Sequence, residues 1–281
     1  MGNYKELDKI IATFLHTEKA DNSGIPLAEA REYKQKHMVT KSIMDQINEV
    51  GKYKAYSLFP FGNNSYNSLD ELFEMIEEKC NEDGNKYIYV YDDEPDHTMH
   101  EIGCDKNEVK DIIVDLDDRI EKLSNKLTDT IIFVIADHGH YNIENMFIKD
   151  YPEIEECLLR NTSLEPRAVN FFIKPDKKFL FEELFNKYFG NDFDLYNIED
   201  VIESKLFGDG KENEIFRDVL GDYLAIAKTN KALLHTGDII LKSHHAGYTD
   251  DEIFVPLIMI KTNKWNIKNY IIYITFNFLV L

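Results

Sequence analysis

Apolar residues recur every three or four positions along several stretches of the chain, a spacing that predicts amphipathic helices. The clearest stretch covers residues 105–127, where one face is aliphatic and the rest is charged. Asp105 and Glu108 are expected to cap its start. Ser68, followed three residues later by Glu71, predicts the capping box of another helix. Shorter helices are predicted over 4–14, 152–159, 177–188 and 212–220, and in pieces over 27–50.

Short runs of β-branched and aromatic residues lie between these helices and predict strands. Residues 131–135 are apolar without a break, which is typical of a strand covered on both faces in a parallel sheet. The alternation of strands and helices predicts an α/β fold, a mostly parallel sheet with helices on both faces. We expect the strands that end at Tyr91 and Ala136 to be parallel neighbours, joined by the 105–127 helix. The predicted strands cover residues 54–59, 87–91, 130–136, 168–173 and 223–227.

The predicted domain organisation is one large α/β domain over residues 1–260, with a small subdomain at 151–221. Residues 261–281 form an atypical apolar tail. Within it, the run 270–281 is uncharged and rich in β-forming residues, but it is shorter than the roughly 17 to 25 residues of a membrane-spanning helix. The tail is therefore predicted to be a terminal strand.

Composition narrows the class of protein. Of the 281 residues, 43% are hydrophobic and 30% are charged, which argues against a disordered, fibrous or membrane-embedded chain. The net charge of −20 disfavours nucleic acid as a partner, because polyphosphate would be repelled. The three cysteines do not suggest a disulfide framework, and the first residues contain no apolar run of signal-peptide length. We expect a cytoplasmic protein with no nucleic-acid or membrane partner.

Carboxylate and imidazole side chains follow two of the predicted strands. Asp96 and His100 lie just after the strand 87–91, and Asp137 and His138 follow the strand 130–136. Gly139 is expected to permit a sharp turn at the second of these places. Because the carboxyl ends of parallel strands meet at one edge of a sheet, the two pairs should lie close together. Their oxygen and nitrogen atoms are ligands that zinc or manganese accepts, so a catalytic metal site is predicted.

A third group of residues, KSHHAGYT at 242–249, contains two adjacent histidines, of which one could complete the cluster. We favour a structural role for His244. Lone histidines are more often core or surface groups than ligands. We expect such ordinary roles for the remaining histidines, His16, His37, His97, His140 and His235.

In this order, the segments EPDHTMH, IADHGH and HHAGYT resemble the alkaline phosphatase superfamily, specifically its type I phosphodiesterase and nucleotide pyrophosphatase branch. The resemblance implies a two-metal hydrolase of phosphodiester or pyrophosphate bonds that acts on a small phosphate ester or nucleotide. It implies that Asp96, His100 and His245 hold one metal tightly, and that Asp137 and His138 hold the other. Zinc is the expected metal, with manganese as the alternative.

The choice of His245 rests on the residues that follow it, Ala246 and Gly247, because the last motif of the family is a histidine followed by a small residue and a turn. The resemblance also implies an early strand that ends in an aspartate ligand, with a threonine or serine nucleophile soon after. The strand 54–59 ends in Phe-Pro, and the nearby serines are better explained as turn and cap residues.

The nucleophile is therefore unassigned, and we expect an α/β fold that is truncated at its N-terminus and has low activity. One alternative is a catalytically inactive metal-binding remnant. Another is a relative of the cofactor-independent phosphoglycerate mutases or of the sulfatases, which share the fold. Arg167, just before the strand 168–173, is a candidate phosphate contact, although a structural salt bridge explains it as well.

Overall fold

A computed structural model describes residues 2–4, 9–12, 17–18, 28–37, 41–61, 64–213, 216–235, 240–262 and 270–276. The predictions for His16 and for residues 277–281 lie outside this part of the chain. Among the described residues, no helix combines the length and the apolarity needed to cross a bilayer.

Helices and strands alternate along most of the described chain, as the hydrophobic pattern predicts. The helices are α1 (Ala28–His37), α2 (Ile43–Val50), α3 (Leu69–Asn81), α4 (Asp96–Ile102), α5 (Asn107–Lys126), α6 (Pro152–Glu155), α7 (Lys178–Phe189), α8 (Ile198–Glu203), α9 (Phe216–Val219) and α10 (Asp250–Ile253). The strands are β1 (Gly2–Tyr4), β2 (Lys9–Ala12), β3 (Thr17–Glu18), β4 (Lys54–Leu58), β5 (Lys86–Asp92), β6 (Thr130–Ile135), β7 (Tyr141–Asn142), β8 (Glu144–Phe147), β9 (Leu158–Glu165), β10 (Ala168–Ile173), β11 (Phe193–Asn197), β12 (Tyr223–Ala227), β13 (Lys231–Leu234), β14 (Ser243–His244), β15 (Leu257–Lys261) and β16 (Tyr270–Phe276).

All five predicted strands form, as β4, β5, β6, β10 and β12, and the 105–127 helix forms as α5. The helix predicted over 4–14 is wrong, because β1 and β2 pair there as antiparallel strands, with Gly2 opposite Ile11. The helix predicted over 152–159 ends at Glu155, because Leu158 already begins β9 and pairs with Ile173 of β10. Strand pairing overrides the helical preference of the local sequence in both places.

The predicted helix caps are partly confirmed. Ser68 accepts a hydrogen bond from the Glu71 backbone N–H at 3.2 Å, but the Glu71 carboxylate accepts from the Asn67 N–H and does not complete a capping box. The cap predicted for α5 is wrong, because Asp105 instead accepts a bond from the Asn142 side chain at 2.6 Å. A contact between residues 37 positions apart thus replaces the local one.

The chain divides into two compact units, of which the first contains Met1–Thr40 and Ile143–Thr249. Its main sheet is antiparallel, with the strand order β11-β12-β10-β9. Helix α7 presents Phe181, Phe185 and Phe189 at steps of four residues, so the three rings share one face of the helix. Phe181 and Phe185 lie with their ring centroids 5.1 and 5.7 Å from that of Phe171 in β10. The core of this unit therefore contains a cluster of packed aromatic rings.

The second unit contains Lys41–Asn142 and Asp250–Leu281. Its sheet has the strand order β15-β6-β16-β5-β4, in which the last four strands are parallel and β15 is antiparallel to β6. Helices α3 and α5 supply aliphatic side chains to its core, which also contains every second residue of β5 and β6. The buried members of this core include Leu72, Ile76, Ile88, Val90, Leu116, Ile120, Leu123, Ile132 and Val134.

Strands β5 and β6 run parallel to the same strand but are not neighbours, which corrects the predicted strand order. The strand predicted for the tail forms as β16 and lies between them, with Tyr273 paired to Tyr89 on one side and to Phe133 on the other. An apolar strand gains most when both its edges are paired, because unpaired backbone groups are costly to bury. The α/β fold class is confirmed, and the carboxyl ends of β5 and β6 still lie at one edge of the sheet. The domain boundaries at 151, 221 and 260 stay predictions.

Candidate metal centre

The first motif, Asp96 and His100, begins where β5 ends. Asp92, the last residue of β5, is buried and accepts hydrogen bonds from the Tyr66 hydroxyl at 2.6 Å and from the Glu94 N–H at 3.0 Å. Helix α4 then begins at Asp96. Residues four apart on a helix lie on the same face, and His100 Nε2 lies 3.5 Å from Asp96 Oδ2. The side chains of His100 and Asp96 are 19% and 17% exposed, so both are accessible from one side.

His140 contacts this motif, and the sequence analysis did not predict that contact. Its Nε2 atom lies 2.8 Å from Asp96 Oδ1, and its side chain is 1% exposed. The ring of His140 also meets that of His100 edge to face, with the centroids 4.5 Å apart. One signal was available in the sequence, since His140 stands two positions after His138 within the segment IADHGH.

The donor atoms of these three residues fit a divalent cation. Asp96, His100 and His140 each offer one ligand atom, and these atoms lie within 4.8 Å of one another. Ligands of a tetrahedral zinc ion are bound at about 2.0 to 2.1 Å and so lie roughly 3.3 Å apart. The cluster needs a contraction of at most about 1.5 Å to reach that spacing, and carboxylate with imidazole is a zinc or manganese donor set.

Burial and hydrogen bonding also set the charge of the cluster. Burial opposes ionisation of Asp96, but the bond from His140 and the nearby imidazoles together hold the pKa of Asp96 below its usual range. Burial lowers the pKa of His140, and the bond to Asp96 opposes this shift without cancelling it. At neutral pH an ionised Asp96 therefore faces an uncharged His140, and deprotonated groups are what metal binding requires.

The second motif, Asp137 and His138, has a different structure after β6. The Asp137 side chain is 43% exposed and that of His138 is 24% exposed, with His138 Nε2 3.7 Å from Asp137 Oδ1. The same oxygen accepts the His138 backbone N–H at 3.1 Å, and His138 Nδ1 lies 3.0 Å from the Gly139 carbonyl oxygen. These contacts are all between adjacent residues. A metal site at this motif stays a prediction.

Gly139 has a role other than the predicted sharp turn. Its φ is outside the left-handed region, whereas a Cβ atom at this position would lie 1.8 Å from the main-chain oxygen of Asp251. The Gly139 N–H donates to the Glu252 carbonyl at 2.9 Å. Glycine is thus required because the start of α10 lies directly against the chain.

The histidines of the third segment belong to the first unit. His244 is buried in β14, with Nε2 3.8 Å from Glu165 Oε2, a position that suits the structural role predicted for it. Its ring lies tilted against that of His245, with the centroids 4.7 Å apart. Ala246, the next residue, adopts the left-handed φ of 81°, which is uncommon for alanine and gives the turn that the motif predicts. Metal binding by His245 stays a prediction.

Arg167 has a structural role in which its hydrogen bonds go to main-chain carbonyl groups, and the salt bridge given as the alternative stays a prediction. Its side chain is fully buried, and Nη1 donates hydrogen bonds to the carbonyl oxygens of Thr229 and Lys231 at 2.8 and 2.7 Å. A guanidinium removed from solvent and bonded to the main chain stabilises the loop after β12. Contact of Arg167 with a phosphate stays a prediction.

Comparison with known proteins places the fold. One solved structure of similar fold is murine ectonucleotide pyrophosphatase/phosphodiesterase 5, an inactive variant in complex with AMP. The match covers 84% of this chain and 67% of the murine chain, with a TM-score of 0.56 and 17% sequence identity. Another is phosphonoacetate hydrolase from Sinorhizobium meliloti, in complex with phosphonoformate. Here the match covers 79% of this chain and 68% of the hydrolase chain, with a TM-score of 0.52 and 12% sequence identity. Identities this low establish a shared fold only. No curated protein matches the chain in sequence.

The match of the sequence to a family model is stronger evidence of relationship than the similarity of fold. The family model for type I phosphodiesterase / nucleotide pyrophosphatase matches residues 4–267, nearly the whole chain. That match contains all three segments on which the resemblance rests, including both carboxylate–histidine motifs. The chain belongs to the type I phosphodiesterase / nucleotide pyrophosphatase family, whose members are hydrolases of phosphoester bonds.

Proposed function

We propose that this protein is a metal-dependent hydrolase of phosphodiester or pyrophosphate bonds in small substrates, with nucleotides as the first class to test. The observation that carries the proposal is the cluster of Asp96 and His100 with the buried His140, whose ligand atoms lie within 4.8 Å of one another at the carboxyl end of β5. Family membership supports the reaction class. The AMP bound to the murine relative supports a nucleotide substrate.

In this proposal Asp96 and His100 hold one divalent metal, with His245 as the further ligand that the sequence motif implies. Asp137 and His138 would hold a second metal. Metals bound here would neutralise the phosphoryl oxygens and lower the pKa of an attacking hydroxyl or water. They would also offset the net charge of −20, which otherwise repels an anionic substrate.

One observation favours a second candidate, a metal-binding protein without hydrolytic turnover. Strand β4 ends at Leu58 and continues into Phe59 and Pro60, so this strand, unlike β5 with Asp92, supplies neither a carboxylate nor a hydroxyl at its end. Without a serine or threonine nucleophile, a bound water is the remaining attacking group. Turnover would then be slow or absent even with the metals bound.

The two candidates are separated by hydrolysis of an activated diester, bis(p-nitrophenyl) phosphate, with zinc or manganese added. We expect slow turnover that depends on the metal and falls to background in Asp96→Asn. Asp93→Asn is the matched control, because Asp93 is an exposed carboxylate in the same loop. Equal rates for the unmodified chain and Asp96→Asn, with zinc bound, would favour the metal-binding protein. Failure to bind zinc or manganese would overturn both.

A further inference from the structure

We propose that His140 is a positioning residue for the metal ligand Asp96. In this arrangement its Nε2–H donates to Asp96 Oδ1, which leaves Oδ2 directed at His100 and at the metal. The inference rests on the metal site of the proposed function and adds to that site a residue outside the two paired motifs. It is carried by three observations, namely the distances around Asp96, the burial of His140 and the anchoring of the segment that holds it.

The distances separate a hydrogen bond from shared metal binding. His100 Nε2 lies 3.5 Å from Asp96 Oδ2, too far for a hydrogen bond and close to the roughly 3.3 Å between two ligands of one zinc ion. His140 Nε2 lies 2.8 Å from Oδ1, which is short for two ligands and ordinary for a hydrogen bond to a carboxylate. The two oxygens of Asp96 therefore have different partners, one on each side of the carboxylate.

Burial makes the bond to His140 effective. The His140 side chain is 1% exposed, so water does not compete for its Nε2–H as it would at a surface pair. A carboxylate that binds a metal is commonly held by such an outer hydrogen bond, which fixes its orientation before the metal arrives. His140 supplies this bond from a different part of the chain, 44 residues away.

The segment that holds His140 is anchored on both sides. Before it, the Gly139 N–H donates to the Glu252 carbonyl at 2.9 Å. After it, Asn142 Oδ1 accepts the Cys104 N–H at 2.8 Å, and Asn142 Nδ2 donates to Asp105 at 2.6 Å. Cys104 and Asp105 follow Gly103, the residue that ends α4, the helix that carries Asp96. These bonds connect residues 139–142 to α10 and to the loop after α4. They hold the His140 imidazole against α4.

The positioning role has a chemical consequence. A catalytic metal keeps at least one coordination position open for water or substrate, whereas a full set of protein ligands closes the site. If His140 bound the metal together with Asp96, His100 and His245, four protein ligands would fill a tetrahedral shell. As a donor to Asp96, His140 leaves that position open.

The test measures metal binding and the cobalt spectrum of the full chain, with no need for turnover. His140→Leu removes the donor, whereas His140→Gln keeps an N–H at a similar distance from the backbone. We expect zinc affinity by calorimetry to fall about 10- to 100-fold in His140→Leu and to stay close to the unmodified value in His140→Gln. The visible absorption bands of bound Co²⁺ should be the same in both variants as in the unmodified chain. His97→Leu, an exposed histidine on the same helix as Asp96, should change neither quantity.

Four results would overturn the inference. Altered cobalt bands in both variants would mean that His140 is itself a ligand, and unchanged zinc affinity in a folded His140→Leu would mean that it only fills space. If His140→Leu does not fold in a thermal unfolding control, His140→Gln still decides, because lost affinity or shifted cobalt bands there contradict a donor role. No zinc binding by the unmodified chain would instead overturn the metal site of the proposed function, and the role of His140 with it.

Discussion

The motif after β5 and the motif after β6 contain the same two residue types, and both strands run parallel to β16 in the second unit. In the first motif Asp96 and His100 are four residues apart on α4 and share a helix face. In the second, Asp137 and His138 are adjacent, with the His138 N–H donating to Asp137 Oδ1 and His138 Nδ1 lying 3.0 Å from the Gly139 carbonyl oxygen. The first motif gains a distant third member, His140, whereas Asp137 stays exposed.

The difference teaches that a pair of ligand types at a strand end is not yet a site. One turn of helix brings two side chains to a common point, since residues four apart lie one above the other. Adjacent residues in extended chain point to opposite sides, so they need outside partners to converge. The strand ends are also anchored differently, by the Tyr66 hydroxyl after β5 and by the main-chain contact of Gly139 after β6.

The largest expected effect separates the two motifs by metal binding. His100→Ala should remove the strong zinc site, with a loss of roughly 2.5 to 4 kcal/mol, about the share of one ligand in a four-ligand zinc site. His138→Ala should leave that site intact, because His138 does not belong to the buried cluster. Calorimetric titration with zinc measures both. Equal losses of zinc affinity in His100→Ala and His138→Ala would show that the two motifs form one continuous site.

An intermediate effect tests the main-chain anchor after β6. Gly139→Ala places a Cβ within 1.8 Å of the Asp251 oxygen, so the backbone has to move and the free energy of unfolding should fall by about 3 kcal/mol. Gly210→Ala is the matched control, because no atom lies within 4 Å of its Cβ position. Chemical denaturation of the two variants gives the difference. Similar stability for both would mean that α10 does not constrain this loop.

The smallest expected effect tests the side-chain anchor after β5. Tyr66→Phe removes a donor from the buried carboxylate of Asp92 and should lower the free energy of unfolding by roughly 1.5 kcal/mol. Tyr56→Phe also deletes a hydroxyl bonded to a carboxylate, but Glu82 there is partly exposed, and water can replace the bond. The control should therefore cost less. An equal cost for both would show that burial of Asp92 contributes nothing to the anchor.

Much of the second unit could be predicted from the sequence. The aliphatic face of α5 and the unbroken apolar run of β6 depend on neighbours within a few residues, and both formed where the periodicity placed them. The spacing of Asp96 and His100 likewise predicts a shared point once α4 is a helix. The strand order could not be predicted, because β16 comes last in the chain yet pairs with β5 and β6.

The roles of three site residues could not be predicted either, because their partners lie far away in the sequence. His140 looked like an ordinary histidine because its partner Asp96 is 44 positions away. Gly139 was assigned to a turn because the approach of Asp251 is invisible in the sequence. Arg167, a candidate phosphate contact, is bonded to carbonyl groups of a loop more than 60 residues later in the chain.

The sequence by itself determined the ligand types, their order along the chain and the strand ends that carry them, and these features identify the family. Tertiary structure alone decided which imidazole meets Asp96, which glycine the backbone approach requires and which strand separates β5 from β6. The reason is physical. Periodicity and capping depend on interactions within a turn or two of the chain, whereas each of these three contacts requires distant segments to be packed together before any energy is gained.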